Sequence, residues 1–230
     1  DIQELIDRQI EYNERIAQEG MQKEYGVSVG ANLVKYYGND VQVRARAMAA
    51  AGSDARMSGC LYPVVINSGS GNQGITVSVP VIEYAKEMGV SHEKLVRALV
   101  FSNLIAIHQK TGIGRLSAYC GAVSAACGAG AGITYLSGGS YEQICATITN
   151  TLANVSGMIC DGAKPSCAAK IATAVDAAIM AHCLSMEAEE FQPGDGIVKD
   201  TVENTIESVC EIASQGMNVT DAKILEIMVR

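Results

Sequence analysis

The chain has 230 residues, 48% hydrophobic and 18% charged, a balance that excludes a disordered polypeptide and suffices to bury a core as one domain or two small ones. Asp and Glu number 25 against 17 Lys and Arg, and the formal charge of −8 argues against nucleic acid or an anionic membrane as the main partner. The 8 cysteines are too dilute for a disulfide mini-scaffold and sit among Ala, Gly and Met, which points to a reducing, cytoplasmic setting.

With only four prolines and abundant alanine, the sequence predicts a mainly α fold, a multi-helix domain. The chain opens on Asp1 rather than Met and has no Arg-led apolar segment, so it reads as a fragment of something longer without a signal peptide. Helices are expected over residues 1–19, 30–51, 80–88, 91–110, 115–136, 140–160, 165–188, 200–215 and 220–229. Ser91, Ser140 and Thr220 fit N-caps, Asp200 with Glu203 fits a capping box, Pro165 fits a first turn, and Gly20, Gly89 and Gly216 fit stops. Residues 60–80 break the pattern: LYPVVI is short, apolar and β-branched, and it enters the Gly-rich run NSGSGNQG before TVSVPV. A short extended segment and a loop are expected there. The apolar stretches 116–136 and 165–185 hold few Leu or Phe and are expected as buried helices. Residues 189–196 are linker-like, no repeat is evident, and a single domain over 1–230 is expected, with a homo-oligomer among its possible assemblies.

Helical spacing places Cys145, Cys183 and Cys210 beside apolar stripes, and Cys127 in an Ala/Gly run suited to close packing; all four are expected in the core. Cys60 receives no role. His92 is expected at the surface and His182 in the packing. Charge is unevenly spread: residues 1–20 hold six acids and two bases, 187–211 eight acids and one base, and 21–186 nine acids and twelve bases.

Three stretches carry candidate chemistry. In CDGAKPSC, Asp161 and Gly162 turn the chain after a helix ending at Cys160, and Cys167 falls in the first turn of the next, where free N–H groups favour a thiolate. Such a loop suits metal or cluster ligation, or a structural or redox pair. A third soft ligand comes from Cys120 or Cys127, not both, because one helix separates them by about 10 Å of rise; Cys120 is preferred. The run Ser68, Gly69, Ser70, Gly71, Asn72, Gln73, Gly74 offers N–H groups and small side chains for a carboxylate, though a plain tight loop accounts for it equally. It is not a Walker loop. In IHQKTGIGRLSAYC, His108 and Lys110 are candidate bases, and Lys110 or Arg115 a candidate partner for a carboxylate.

Taken together, NSGSGNQG, HQKTGIGRLSAYCGAV and GMICDGAKPSCAAK, in that order, resemble the oxygen-sensitive iron–sulfur L-cysteine desulfidases, relatives of the α chain of iron–sulfur L-serine dehydratases. The resemblance covers most of residues 40–186 and implies a 4Fe–4S cluster held by Cys120, Cys160 and Cys167, with one iron open to substrate. It implies β-elimination without pyridoxal phosphate: L-cysteine to pyruvate, ammonia and sulfide, or L-serine to pyruvate and ammonia. In that setting Ser68–Gly74 and Arg115 would bind the substrate, and His108 or Lys110 would take the α-proton. Members of that family are longer, so an N-terminal portion or a partner chain is expected to complete the site. The alternatives are a non-catalytic helical domain with structural or redox cysteines and a phosphate- or nucleotide-binding protein using NSGSGNQG.

Overall fold

The computed structural model describes residues 2–114 and 116–230. Their regular structure consists of ten α-helices and one π-helical turn, with no β-strand among the described residues. In chain order these are α1 (Ile2–Gln22), α2 (Val29–Tyr37), α3 (Val41–Met57), α4 (Gly71–Met88), α5 (His92–Ile113), α6 (Gly121–Leu136), α7 (Tyr141–Val155), α8 (Cys167–Met186), α9 (Val202–Glu211), the π turn (Ile212–Gly216) and α10 (Asn218–Met228). The fold is mainly α.

Two helices form the centre. α4 packs against α1, α3, α5 and α6, while α6 packs against α4, α5, α7 and α8. The sequence of α6, GAVSAACGAGAGITYL, is small and apolar on every side, as a helix surrounded by others must be. A Cβ on Gly128 would lie 2.4 Å from the Ser102 carbonyl of α5, so glycine there lets two backbones touch. Close approach of small residues supplies the dispersion contacts that few aromatic side chains are present to give. α8 is long and apolar enough to cross a membrane, and 56% of its apolar window is buried against neighbouring helices.

Several expected boundaries move, each for a physical reason. The helix expected over 30–51 is two, because Gly38 leaves helical geometry at φ 92° and Asp40 caps α3 by accepting the Val43 N–H at 2.9 Å. TVSVPV is helical, not extended: α4 begins at Gly71 and carries Pro80 in its interior. Burial on all sides erases the helical period that a sequence would show, and tertiary packing overrides β-branched propensity. The short extended segment is therefore residues 60–66 alone. α1 continues past Gly20, where a Cβ would meet the Ala51 carbonyl at 2.0 Å; this glycine serves packing, not a stop. Thr201, not Asp200, caps α9, accepting the Asn204 N–H at 3.1 Å, and α10 starts ahead of Thr220. Ser91, Ser140 and Gly89 cap as expected, Ser140 in a capping box with Gln143.

Cys127 is fully buried, but Cys183 is exposed. The inner face of α8 passes through Val175 and Ile179 to His182 and Ser185, rotating Cys183 outward in the last turn. His182 is packed, with Nδ1 2.9 Å from Thr134 Oγ1, and His92 is at the surface beside Asp7.

Candidate active site

α7 stops at Val155, so Cys160 does not end a helix. It lies in an extended stretch that pairs with the connector before α6. Tyr119 and Ile159 face each other in a single antiparallel bridge, with Cys120 N–H bonded to Met158 O at 3.1 Å and Cys160 N–H to Ala118 O at 2.6 Å. Ser117 holds the connector by bonding the Ala213 carbonyl at 2.7 Å and receiving the Tyr119 N–H, and Tyr119 is buried beneath it. This pairing brings Cys120 and Cys160, forty positions apart in sequence, side by side.

The neighbouring Cys120 thiol lowers the Cys160 pKa to about 6, helped by the Gly162 N–H and the charge of Lys170 and opposed by burial. The same neighbour relation, with burial, pushes Cys120 well up. Cys167 opens α8, with its Sγ 3.4 Å from the Lys164 N–H and 3.6 Å from the Gly162 carbonyl, and the Asp161–Lys170 ion pair closes the intervening loop.

All three cysteines line one cavity of about 190 Å³, together with Ser70, Asn72, Gln73, Gly121 and Lys170. The N-termini of α4, α6 and α8 meet there, so the positive ends of three helices face three sulfurs. Among the described residues no group of His, Cys, Asp or Glu is compact enough to ligate a single metal ion. Three soft sulfurs around a cavity fit a multinuclear iron–sulfur cluster, whose ligands bind separate irons and stand farther apart.

The Gly-rich run does not form one cradle. Ser68 and Gly69 both have positive φ, 50° and 82°, in a tight turn closed by reciprocal hydrogen bonds between Asn67 and Ser70. They border an open cleft of about 780 Å³ with Lys110, Thr111 and Gly114, whereas Ser70, Asn72 and Gln73 face the cysteines. Ser70 Oγ caps α4 by accepting the Gln73 N–H at 3.4 Å. Gly71 and Gly74 serve packing: a Cβ on Gly74 would lie 2.0 Å from the Val65 carbonyl, and one on Gly71 would meet Arg56.

The structure separates the two candidate bases. Lys110 is buried, its pKa is lowered by that burial, and Cys160 and Cys120 are near enough for their charge to oppose the shift. His108 faces outward and pairs with Glu203 at 2.7 Å, away from the cysteine cavity. Arg115 lies outside the described residues. Two residues at the site escaped the sequence analysis. Gly121 follows Cys120, and a Cβ there would lie 2.4 Å from Gln73 Nε2, so its side-chain hydrogen makes room for the amide. Arg56 reaches Asn72 from α3, and no motif marks it.

A sequence model of the serine dehydratase alpha chain matches residues 1–226. The chain belongs to the serine dehydratase alpha-chain family. It is 64% identical over 228 residues to a UPF0597 protein of Lachnoclostridium phytofermentans, covering 99% of this chain and 55% of the relative. A UPF0597 protein of Desulfitobacterium hafniense is 60% identical, covering 99% and 53%, and one of Treponema denticola 56%, covering 100% and 54%. The chain thus spans about half the length of these relatives. Membership in the serine dehydratase alpha-chain family gives the cavity a lyase-like context in which iron–sulfur chemistry is at home.

Proposed function

We propose that this chain carries the iron–sulfur site of a lyase that eliminates the β-substituent of a small L-amino acid without pyridoxal phosphate. L-Cysteine would give pyruvate, ammonia and sulfide, and L-serine pyruvate and ammonia. The observation that carries this reading is the convergence of Cys120, Cys160 and Cys167 on one cavity at three helix N-termini. These three residues would hold a 4Fe–4S cluster, which when bound supplies a Lewis acid for the β-thiol or β-hydroxyl.

The remaining work falls to the chain's own side chains. Lys110, which borders the adjoining cleft, feels the charge of Cys160 and Cys120 and has its pKa depressed by burial, would take the α-proton at Nζ. As the Cα–H bond breaks, its electron pair forms the Cα–Cβ double bond and the C–S or C–O pair departs with the leaving group. The released enamine tautomerises, and water hydrolyses the imine to pyruvate and ammonia. Ser70, Asn72 and Gln73 line the cavity where the amino acid's polar groups would be oriented. The non-catalytic alternative is better served by a Cys120 remote from the other two, and the cavity that Cys120 lines together with Cys160 and Cys167 weighs against it.

A cytoplasmic location and a small amino-acid partner, rather than nucleic acid or membrane, accompany this reading. Ile66, Leu104, Ile107 and Leu116 are exposed, and Ile107 also borders the Lys110 cleft. With relatives nearly twice as long, this supports a further portion of the chain, or a partner subunit, seated there. The test is anaerobic reconstitution with iron and sulfide, an iron count, and assays of sulfide and pyruvate with each amino acid in turn. Iron binding and pyruvate formation are expected; absence of iron from both this chain and the full-length protein overturns the reading.

A further inference from the structure

We propose that Arg56 is the carboxylate anchor of the site, binding the α-carboxylate of the amino-acid substrate. This deepens the elimination reading and rests on it. Arg46, ten positions earlier on α3, pairs with Asp176 of α8, and Ala50 packs in one cluster with Ala168 and Ala172. α3 and α8 therefore run antiparallel. Ten residues rise ~15 Å along a helix, which brings Arg56 level with the start of α8, where Cys167 stands.

From the other side α4 fixes the guanidinium. Arg56 Nη1 donates to Asn72 Oδ1 at 3.4 Å, and a Cβ on Gly71 would lie 2.3 Å from Arg56 Nε. Asn72 itself lines the cysteine cavity, so Arg56 stands one side chain behind that wall, between the N-termini of α4 and α8.

Its charge is uncommitted. The other arginines of α3 are neutralised, Arg44 by Glu83 at 2.9 Å and Glu87 at 2.7 Å, and Arg46 by Asp176. Lys170, the cation within the cavity, is paired with Asp161. Among the described residues, ion pairs of arginine engage Arg8, Arg44, Arg46, Arg97 and Arg230, and none engages Arg56. A half-buried guanidinium without a carboxylate, beside the positive ends of two helices, is a site short of an anion. Its planar fork matches a carboxylate. Asn72 holds the fork through a single weak bond that a substrate can replace.

The experiment compares Arg56→Gln and Arg56→Lys with wild type in reconstituted full-length protein, counting iron in each. Retained iron, a KM for L-cysteine raised about 10- to 100-fold by the glutamine variant, a smaller change in kcat and partial recovery by lysine are expected. Pyruvate is a second probe, its binding measured by calorimetry on the same proteins with and without the cluster: wild type should bind it and Arg56→Gln should not. Unchanged KM with iron retained, equal pyruvate binding by wild type and Arg56→Gln, no pyruvate binding by wild type, or loss of iron from both variants overturns the anchor. Pyruvate binding that depends on Arg56, in a protein that turns over no amino acid, sinks the elimination reading and leaves the anchor standing.

Discussion

Cys127 and Cys160 are chemically identical side chains in one chain, yet burial pushes the first thiol up, to about 12, and the neighbouring Cys120 thiol draws the second down, to about 6. The difference follows from their place in the backbone. Cys127 is inside α6, where the helix satisfies every neighbouring N–H and apolar side chains enclose the sulfur. Cys160 lies between helices, where a neighbouring thiol, the Gly162 N–H and Lys170 all favour charge. Cysteines at helix starts or between helices can share a cavity, whereas Cys127, Cys145, Cys183 and Cys210 lie within helices that hold their sulfurs in place.

The largest break in that comparison should come from removing sulfurs. Cys120→Ala, Cys160→Ala or Cys167→Ala should each abolish stoichiometric iron binding after anaerobic reconstitution, while Cys145→Ala keeps it. Equal iron in Cys160→Ala and Cys145→Ala would dissolve the distinction between the two groups.

Lys110 should be next. As a base it must be neutral, so kcat should rise with pH through its depressed pKa, and Lys110→Gln should lower kcat by at least about 100-fold with iron retained. Stability should rise with pH as well, but the substitution should act on it in the opposite sense to its effect on kcat. A lysine whose folded pKa lies below its unfolded 10.5 is penalised in the fold at neutral pH, and the penalty is relieved only as pH rises through the folded pKa toward 10.5. Lys110→Met should therefore raise the melting temperature at pH 7 while removing activity. A variant as active as wild type, or one that melts lower, takes Lys110 out of this role.

Two glycines sharpen the contrast between core and site. Gly128→Ala drives a methyl against the backbone of α5 and should cost ~1–3 kcal/mol in denaturant unfolding. Gly121→Ala meets only the end of the Gln73 side chain, so it should unfold nearly like wild type but show weaker substrate binding. The reverse order of effects would place Gly121 in the scaffold.

The smallest effect concerns His182, whose pKa is lowered by burial. Its neutral ring is the form that fits, so its contribution is present above the unfolded value of 6.5 and is lost as pH falls from there through the folded pKa. Unfolding curves of His182→Gln between pH 8 and pH 5 should slope less on the acid side than those of wild type. Parallel slopes would show that the ring does not titrate with unfolding.

Much of this was legible in the chain. The helical class followed from Ala content and sparse Pro, and Ser91 and Ser140 marked their helices because caps act locally. The turn at Asn67–Ser70 and the loop before Cys167 were equally local features. TVSVPV was not legible as a helix, since a segment enclosed on all sides carries no period for either structure. Cys183 was misjudged because a periodic stripe does not say where the neighbouring helices end.

The sequence by itself determined which residues are available for soft-metal chemistry and which short segments bend the chain around them, because those properties rest on side-chain identity and on contacts a few residues long. Only the tertiary structure decided their company. The bridge between Tyr119 and Ile159 sets Cys120 beside Cys160, the packing of α3 brings Arg56 against Asn72 behind the cavity wall, and the pairing with Glu203 turns His108 away. Distance in the folded chain depends on how helices pack, and packing depends on every neighbour at once.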